Sequence, residues 1–434
     1  MLSSIKEWLR YEKHSVKALF YPLLWIANHY YRRKGCTSHL NFLAGIFRLN
    51  WPGTSRLVSH EIKKNYLDRN ALLRSEIYSK ILDDFQPLQR YAKFSENPTK
   101  LLDGIVTVMA PRTVDAKGVL VIAYSYYFLM FLKYFDMKIV LENYHVVLEP
   151  SWNGLCEASI LAYTKFDVPV FVMAYEDRDY TFLKNLKTNL VPLKLSANWW
   201  VSPAQFKQGK QSKQRDIDVI MVAAWAKFKR HDKFFKAIRE INKKGRNLKV
   251  TLVGYPNDLK LEDIVSMADT FGVTKQIDFK EKISPEKVAE LLGRAKVNIV
   301  WSRFEGVNRA IIEGMFCDTP CILREGFNFG MQYPYVNEQT GCFSSEHGLS
   351  QKIIDMVDNM SKYSPRDYVM KHHNCFLGAE LLGREIAKVD EQFDWRSVVP
   401  KLSGLDGMTY VSVEDRNKCK EDYKELVKAC LKKE

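Results

Sequence analysis

The most specific chemical signal in this sequence is a pair of glutamates, Glu305 and Glu313, in Ser302-Arg303-Phe304-Glu305-Gly306-Val307-Asn308-Arg309-Ala310-Ile311-Ile312-Glu313-Gly314. A carboxylate accepts hydrogen bonds through two oxygens with two lone pairs each, which suits the paired hydroxyls of a sugar or a ribose. The stretch follows an apolar run, Val297–Trp301, and leads into Arg309–Phe316, whose spacing is helical. Gly306 in the intervening turn lets backbone N–H groups approach a ligand, and a helix starting after Val307 and Asn308 adds positive potential for phosphate. Glu305 is then placed to accept from sugar hydroxyls. Glu313, about two helical turns on, faces back toward the same cleft and can hold a ribose diol. Together these residues describe a site for a phosphorylated sugar compound.

Other residues with chemical potential are less specific. In His145-Val146-Val147-Leu148-Glu149-Pro150-Ser151-Trp152-Asn153-Gly154, Glu149 and Trp152 stand at the end of an expected strand. They can offer a carboxylate and an aromatic face to an acceptor sugar; the same Pro- and Gly-bearing stretch suits a structural turn equally well. The pair Trp199-Trp200 is expected to pack a domain edge. Eight cysteines are scattered without CxxC pairs or nearby histidine clusters, so they read as small apolar fillers rather than zinc ligands, in a reducing, cytoplasmic compartment.

The elements that must position these residues fall into two halves. Residues 1–100 read mostly as helix. Short apolar strands follow at Ile105–Ala110, Val119–Ala123, Ile139–Leu141, Val146–Leu148 and Val170–Ala174, with the look of buried parallel strands. Helices are expected at Tyr127–Phe135 and Cys156–Lys165. Lys207–Asp216 has no apolar residue and reads as a solvated linker. Beyond it strands (Asp218–Ala223, Val250–Val253, Gln276–Phe279, Val297–Trp301, Pro320–Leu323) alternate with helices (Lys233–Asn242, Leu261–Phe271, Ser284–Arg294, Arg309–Phe316). That alternation specifies a doubly wound α/β unit, which binds ligands beyond the carboxyl ends of its strands. The expected division is 1–206 with a helical extension over 1–100, a linker 207–217, a second domain 218–395, and a C-terminal helical segment 396–434 whose charged helix runs from Asp415 to Lys433.

With 434 residues the chain exceeds one ordinary core, and its net charge of +14 calls for an anionic partner. No zinc finger, helix-turn-helix or RNP-like motif accompanies that charge, which argues against nucleic acid. Residues 1–34 carry a net +5 around the apolar run Ala18–Ala27. The run is too short to span a bilayer, and no small-residue cleavage site follows it closely. A basic, aromatic helix of this kind lies on an anionic membrane surface or packs on its own domain.

The Glu-x7-Glu spacing after a buried strand, followed by a strand opened by proline, resembles the group 1 (family 4-like) retaining GT-B glycosyltransferases. The resemblance covers Asp218 to about Asn359. It implies two Rossmann-like doubly wound α/β domains facing a cleft, the second holding a nucleoside diphosphate sugar and the first an acceptor. Val222-Ala223-Ala224-Trp225-Ala226-Lys227-Phe228-Lys229-Arg230-His231-Asp232 is similar to the family's first strand and loop of that second domain, with Lys229 in the place of the diphosphate-binding lysine. Ala224 stands where the family often has a second phosphate-binding arginine, a part that Lys227, Arg230 or Arg303 would have to take. Leu252-Val253-Gly254 resembles the family's apolar strand with its terminal glycine, and Phe279–Ile283 its loop near the base. The family's glycine-rich loop has no clear equivalent in the first half.

The resemblance implies a hexosyltransferase acting with retention, with Lys229 and Glu305 catalytic and with Arg230, Gly306, Val307, Asn308 and Glu313 also binding the donor. It implies no cofactor besides the donor and no metal; Asp177-Arg178-Asp179 fits a metal-binding DxD pattern by spelling only. The expected partners are a nucleotide sugar, a glycan or lipid-linked acceptor, and an anionic membrane surface through residues 1–34. Two rivals remain at the level of sequence, a GT-B-shaped sugar-nucleotide epimerase and a non-catalytic sugar-nucleotide-binding subunit.

Overall fold

The run Val119–Ala123 is apolar at every position, and the strand it forms, β2 (Gly118–Ala123), is buried along its whole length. So are β1 (Val106–Ala110), β3 (Tyr144–Glu149) and β4 (Val170–Met173), as expected of strands in a sheet covered on both faces. The computed structural model describes residues 18–67, 71–209, 211, 214–326, 333–402 and 410–430. The chain divides into two compact units, one of Met1–Trp200 with Gly378–Glu434 and one of Val201–Leu377.

In the first unit a five-stranded sheet runs in the order β1-β2-β3-β4-β5, with β5 at Leu190–Leu193. Pairing is parallel from β2 onward, whereas β1 is antiparallel to β2. This departs from the parallel expectation for Ile105–Ala110. The seven residues between β1 and β2 are too few for a parallel crossover, which needs a dozen or more. Ile139–Leu141 is not a strand but part of a helix, Met137–Asn143. Asp136 accepts from the Lys138 and Ile139 amides, and that cap outweighs the β-branched character of the short run. The edge strand β5 went unread because it carries Pro192, which an edge tolerates. Helices Tyr21–Arg33, Cys36–Leu49, Thr54–Ile62 and Ala71–Asp83 form the helical extension, and Leu40, Leu43, Leu57 and Ile62 enter the same core as Val106 and Leu120. Residues 1–17 of the expected N-terminal helix lie outside the described residues.

The C-terminal stretch completes this unit rather than the second. Asp422 accepts from the Tyr144 hydroxyl (2.8 Å) and the Arg112 amide (3.0 Å), and Asp390 meets the His145 ring (2.9 Å). The second unit therefore ends near Leu377, not at 395. The single charged helix expected from Asp415 appears as Val413–Lys418, Lys420–Glu425 and a π turn over Leu426–Cys430, with 431–433 outside the described residues.

In the second unit β6 (Ile217–Val222), β7 (Val250–Gly254), β8 (Ile277–Glu281), β9 (Ala295–Val300), β10 (Cys321–Arg324) and β11 (Gly341–Ser344) pair in parallel, in the order β11-β10-β9-β6-β7-β8. Chain order reverses between β6 and β9. The reversal that makes a sheet doubly wound thus belongs to this unit, while the first sheet follows sequence order. The polar stretch before β6 is more than a solvated linker. Arg215 is buried, donating to the Ala295 carbonyl (2.5 Å), the Thr319 hydroxyl (2.7 Å) and the Cys317 carbonyl (3.0 Å). A guanidinium with five donors satisfies several carbonyls at once, and those partners were invisible to local composition.

Candidate active site

Parallel strands end on the same edge of their sheet, so the loops after β6 and β9 emerge side by side at the point where strand order reverses. The first runs through a 3-10 turn, Lys227–Lys229, into the helix His231–Lys243. The second runs from Ser302 to Asn308 and into the helix Arg309–Phe316. The Arg303 amide donates to the Phe228 carbonyl (2.8 Å), and the Phe228 and Phe304 rings stack with centroids 5.0 Å apart. These contacts lock the loops together.

Lys229 Nζ donates to Glu305 Oε1 at 2.5 Å. Asn308 Nδ2 donates to the same oxygen (3.0 Å), as does the Ser302 hydroxyl. Ser302, Glu305, Gly306 and Asn308 are all buried, and Val307 is half-buried. Three donors on one oxygen keep the carboxylate oriented, which is what a group must have if it is to position a ligand. The structure thus brings together Lys229, Glu305 and Asn308, and adds Ser302, which sequence reading left without a role.

Arg230 stands next in line, and its geometry is unusual. It caps the helix His231–Lys243 with φ at 59°, the left-handed region where a side chain costs about 1–2 kcal/mol. Its guanidinium donates to Glu346 (2.7 Å), a residue just beyond β11 that Lys233 also approaches (3.3 Å). Burial opposes a charge on Glu346, yet the cations of Arg230 and Lys233 outweigh it and hold the carboxyl below its usual range. Glu346 has no local motif and only the folded sheet reveals it. Arg324, at the end of β10, donates to the Arg303 carbonyl (3.1 Å) and adds a further buried cation beside the loop after β9. Glu313 is buried on its helix and accepts from Arg309 one turn earlier (3.1 Å).

His231 opens the helix after Arg230 with its ring buried edge-on against Trp225, and neither ring nitrogen has a hydrogen-bond partner among the described residues. Burial, helped by the Lys229 charge, pushes its pKa down to about 3. The unfolded chain, with an ordinary value of 6.5, therefore binds a proton that the fold refuses. That contribution to stability is complete above pH 6.5 and is lost as pH falls toward 3. His39, buried and depressed to about 4 chiefly by burial, acts with the same sign. We expect the melting temperature to fall through this window, and to fall less steeply in His231→Phe, which keeps a ring against Trp225. Identical pH slopes in the two proteins would contradict the assignment.

The candidates of the first unit are not drawn into a comparable cluster. Glu149, at the end of β3, is buried and ion-paired with Lys401 (2.8 Å). Trp152 is exposed on the following loop. Gly154 in that loop has φ at 84°, and its amide donates to Asp179 (2.8 Å), which also accepts from Leu155 (3.3 Å). Asp179 is thereby a loop organiser. The end of β2 leads into Tyr124, a non-glycine residue with φ at 67°. Among the described residues no group of three His, Cys, Asp or Glu side chains could hold a metal ion.

Residues 203–365 match the family described as Glycosyl transferases group 1. Among solved structures, the chain is similar to a sucrose-phosphate synthase of Thermosynechococcus elongatus, with 15% identity over 62% of this chain and 73% of the other and a TM-score of 0.47. It is also similar to TarM (14% identity, 62% and 54% covered, TM-score 0.48) and to Anabaena HepE in complex with UDP and glucose (11%, 62% and 78%, TM-score 0.45). No curated protein matches the sequence. The loops that join Lys229 to Glu305 lie inside the matched stretch, which falls within the second unit.

Proposed function

We propose that this protein is a retaining, metal-independent glycosyltransferase that moves a hexose-type unit from a nucleoside diphosphate sugar to a hydroxyl of a glycan or lipid-linked acceptor, in polysaccharide or glycoconjugate synthesis. The observation that carries this reading is the contact of Lys229 with Glu305 at the carboxyl ends of β6 and β9, where strand order reverses. Lys229 stabilises the charge that develops on the diphosphate as the glycosidic bond breaks, and Arg230 shares that task. Glu305 accepts from the hydroxyls of the donor sugar and holds it for attack. Gly306, Val307 and Asn308 bring the start of a helix to the phosphates, and Glu313 serves the ribose. Fixed cations suffice for the leaving group, so neither metal nor cofactor is required beyond the donor. The free cysteines of the described residues fit a reducing, cytoplasmic compartment, and an anionic membrane face is the partner proposed for the N-terminal segment.

A panel of nucleoside diphosphate sugars, screened by thermal shift and followed by transfer assays with chelator present, tests this. At least one donor should raise the melting temperature and deliver its sugar with the anomeric configuration kept. Inversion, or dependence on added metal, overturns the corresponding part of the proposal. A donor converted to its epimer without any acceptor marks an epimerase, and binding without turnover marks a non-catalytic subunit.

A further inference from the structure

The helix Tyr21–Arg33 is built inside out. At about 100° per residue, Leu19 (in the preceding turn), Leu23, Ile26 and Tyr30 fall on one stripe, and they are 77%, 55%, 68% and 52% exposed. Asn28 lies diametrically opposite, and it is the buried residue of the helix. Its side-chain oxygen accepts from His39 Nε2 (2.8 Å), whose Nδ1 meets the Tyr66 hydroxyl (2.7 Å). Beside it Tyr31 stacks on Phe42 with centroids 4.8 Å apart. The helix therefore docks on its neighbours through this polar clamp and the half-buried Leu24, and turns Leu23 and Ile26 to water, whereas an ordinary surface helix buries its aliphatic stripe.

Charge says what should cover that face. From Ala18 to Lys34 there is no acidic residue. Arg33 and Lys34 are exposed and project on either side of the stripe at its C-terminal end, and Lys34 lies over the Tyr30 ring (4.6 Å). An aliphatic stripe bracketed by cations, with Tyr30 on it, fits the boundary between acyl chains and anionic headgroups. No helix among the described residues is long and apolar enough to cross a membrane, so the contact is one of lying on the surface.

We propose that this face docks the protein on a bilayer carrying anionic lipid, with Leu19, Leu23 and Ile26 entering the acyl boundary and Arg33 and Lys34 meeting headgroup phosphates. The proposal rests on the transferase reading only for its purpose, which is to hold the enzyme where a lipid-linked acceptor lies. Full-length protein is sedimented with vesicles of equimolar phosphatidylcholine and phosphatidylglycerol, and with phosphatidylcholine alone. Binding should favour the anionic vesicles and weaken as salt rises. Leu23→Ser with Ile26→Ser should lower binding about tenfold to a hundredfold, since both side chains lose apolar burial. Arg33→Gln with Lys34→Gln should lower it roughly tenfold to thirtyfold and blunt its salt dependence. All four positions are exposed, so unchanged melting temperatures are expected and separate lost docking from lost folding. Failure of the wild-type chain to bind, or equal binding by the Leu23/Ile26 variant, overturns the proposal. So does a wild-type dimer that this variant converts to monomer, because a second copy then covers the face. Nucleotide-sugar binding, measured on the same proteins, reports on the transferase reading separately.

Discussion

Glu305→Gln lowers sugar transfer by about tenfold to a thousandfold, the range for losing one charged contact that strengthens in the transition state. Gln keeps the size of the side chain and one oxygen, so the Ser302 and Asn308 donors retain an acceptor. What disappears is the negative charge that both anchors Lys229 and favours a donor sugar becoming electron-poor. The loss should appear mainly in kcat, with the donor KM changed much less, because the same polar contacts remain for the ground state. A melting curve close to wild type establishes that the variant is folded. Wild-type turnover in that folded protein would falsify the assignment of Glu305.

Lys229→Ala has a double consequence. Affinity for the free nucleoside diphosphate should weaken by about 1.5–3 kcal/mol, roughly tenfold to over a hundredfold, the scale of a hydrogen bond to a charged group. The fold should also lose stability, because Glu305 is left as a largely buried carboxylate without its cation. Ser302 and Asn308 still donate to it, which limits that loss. Adding Glu305→Gln to Lys229→Ala removes the orphaned charge, so the double variant should recover part of the melting temperature while transfer stays low. This non-additivity is the signature of two groups acting as a unit. Calorimetry reads the binding: unchanged diphosphate affinity in Lys229→Ala transfers the phosphate role to Arg230, the neighbouring cation held by Glu346.

The second unit was legible in the sequence almost element by element. Leu261–Phe271 and Arg309–Phe316 lie where periodicity places them, and the strands β6 to β10 differ by only one or two residues at their ends, while the edge strand β11 went unread. Its strands are short apolar runs between amphipathic helices, a pattern in which local composition and tertiary burial agree. The first unit was less legible because they disagree. Ile139–Leu141 has strand-like residues but follows a capping aspartate, β5 contains a proline, and the stretch from Gly378 onward carries no label for the unit it joins.

The amino-acid sequence by itself singled out the residues proposed to bind a phosphorylated sugar. The Glu-x7-Glu spacing, the loop lysine and the strand-turn-helix order are all properties of contiguous residues, and a helix start or a turn forms from its neighbours in the chain. Only the tertiary structure decided which of them meet. Lys229 and Glu305 are 76 residues apart and touch because parallel pairing of β6 with β9 sets their loops side by side. Other contacts distant in sequence bring Glu346 to Arg230 across 116 residues and set Glu149 against Lys401. Nor could the sequence say which side of the helix Tyr21–Arg33 faces water. An aliphatic stripe ordinarily turns inward to escape solvent, and it took the buried partnership of Asn28 with His39 to turn it out.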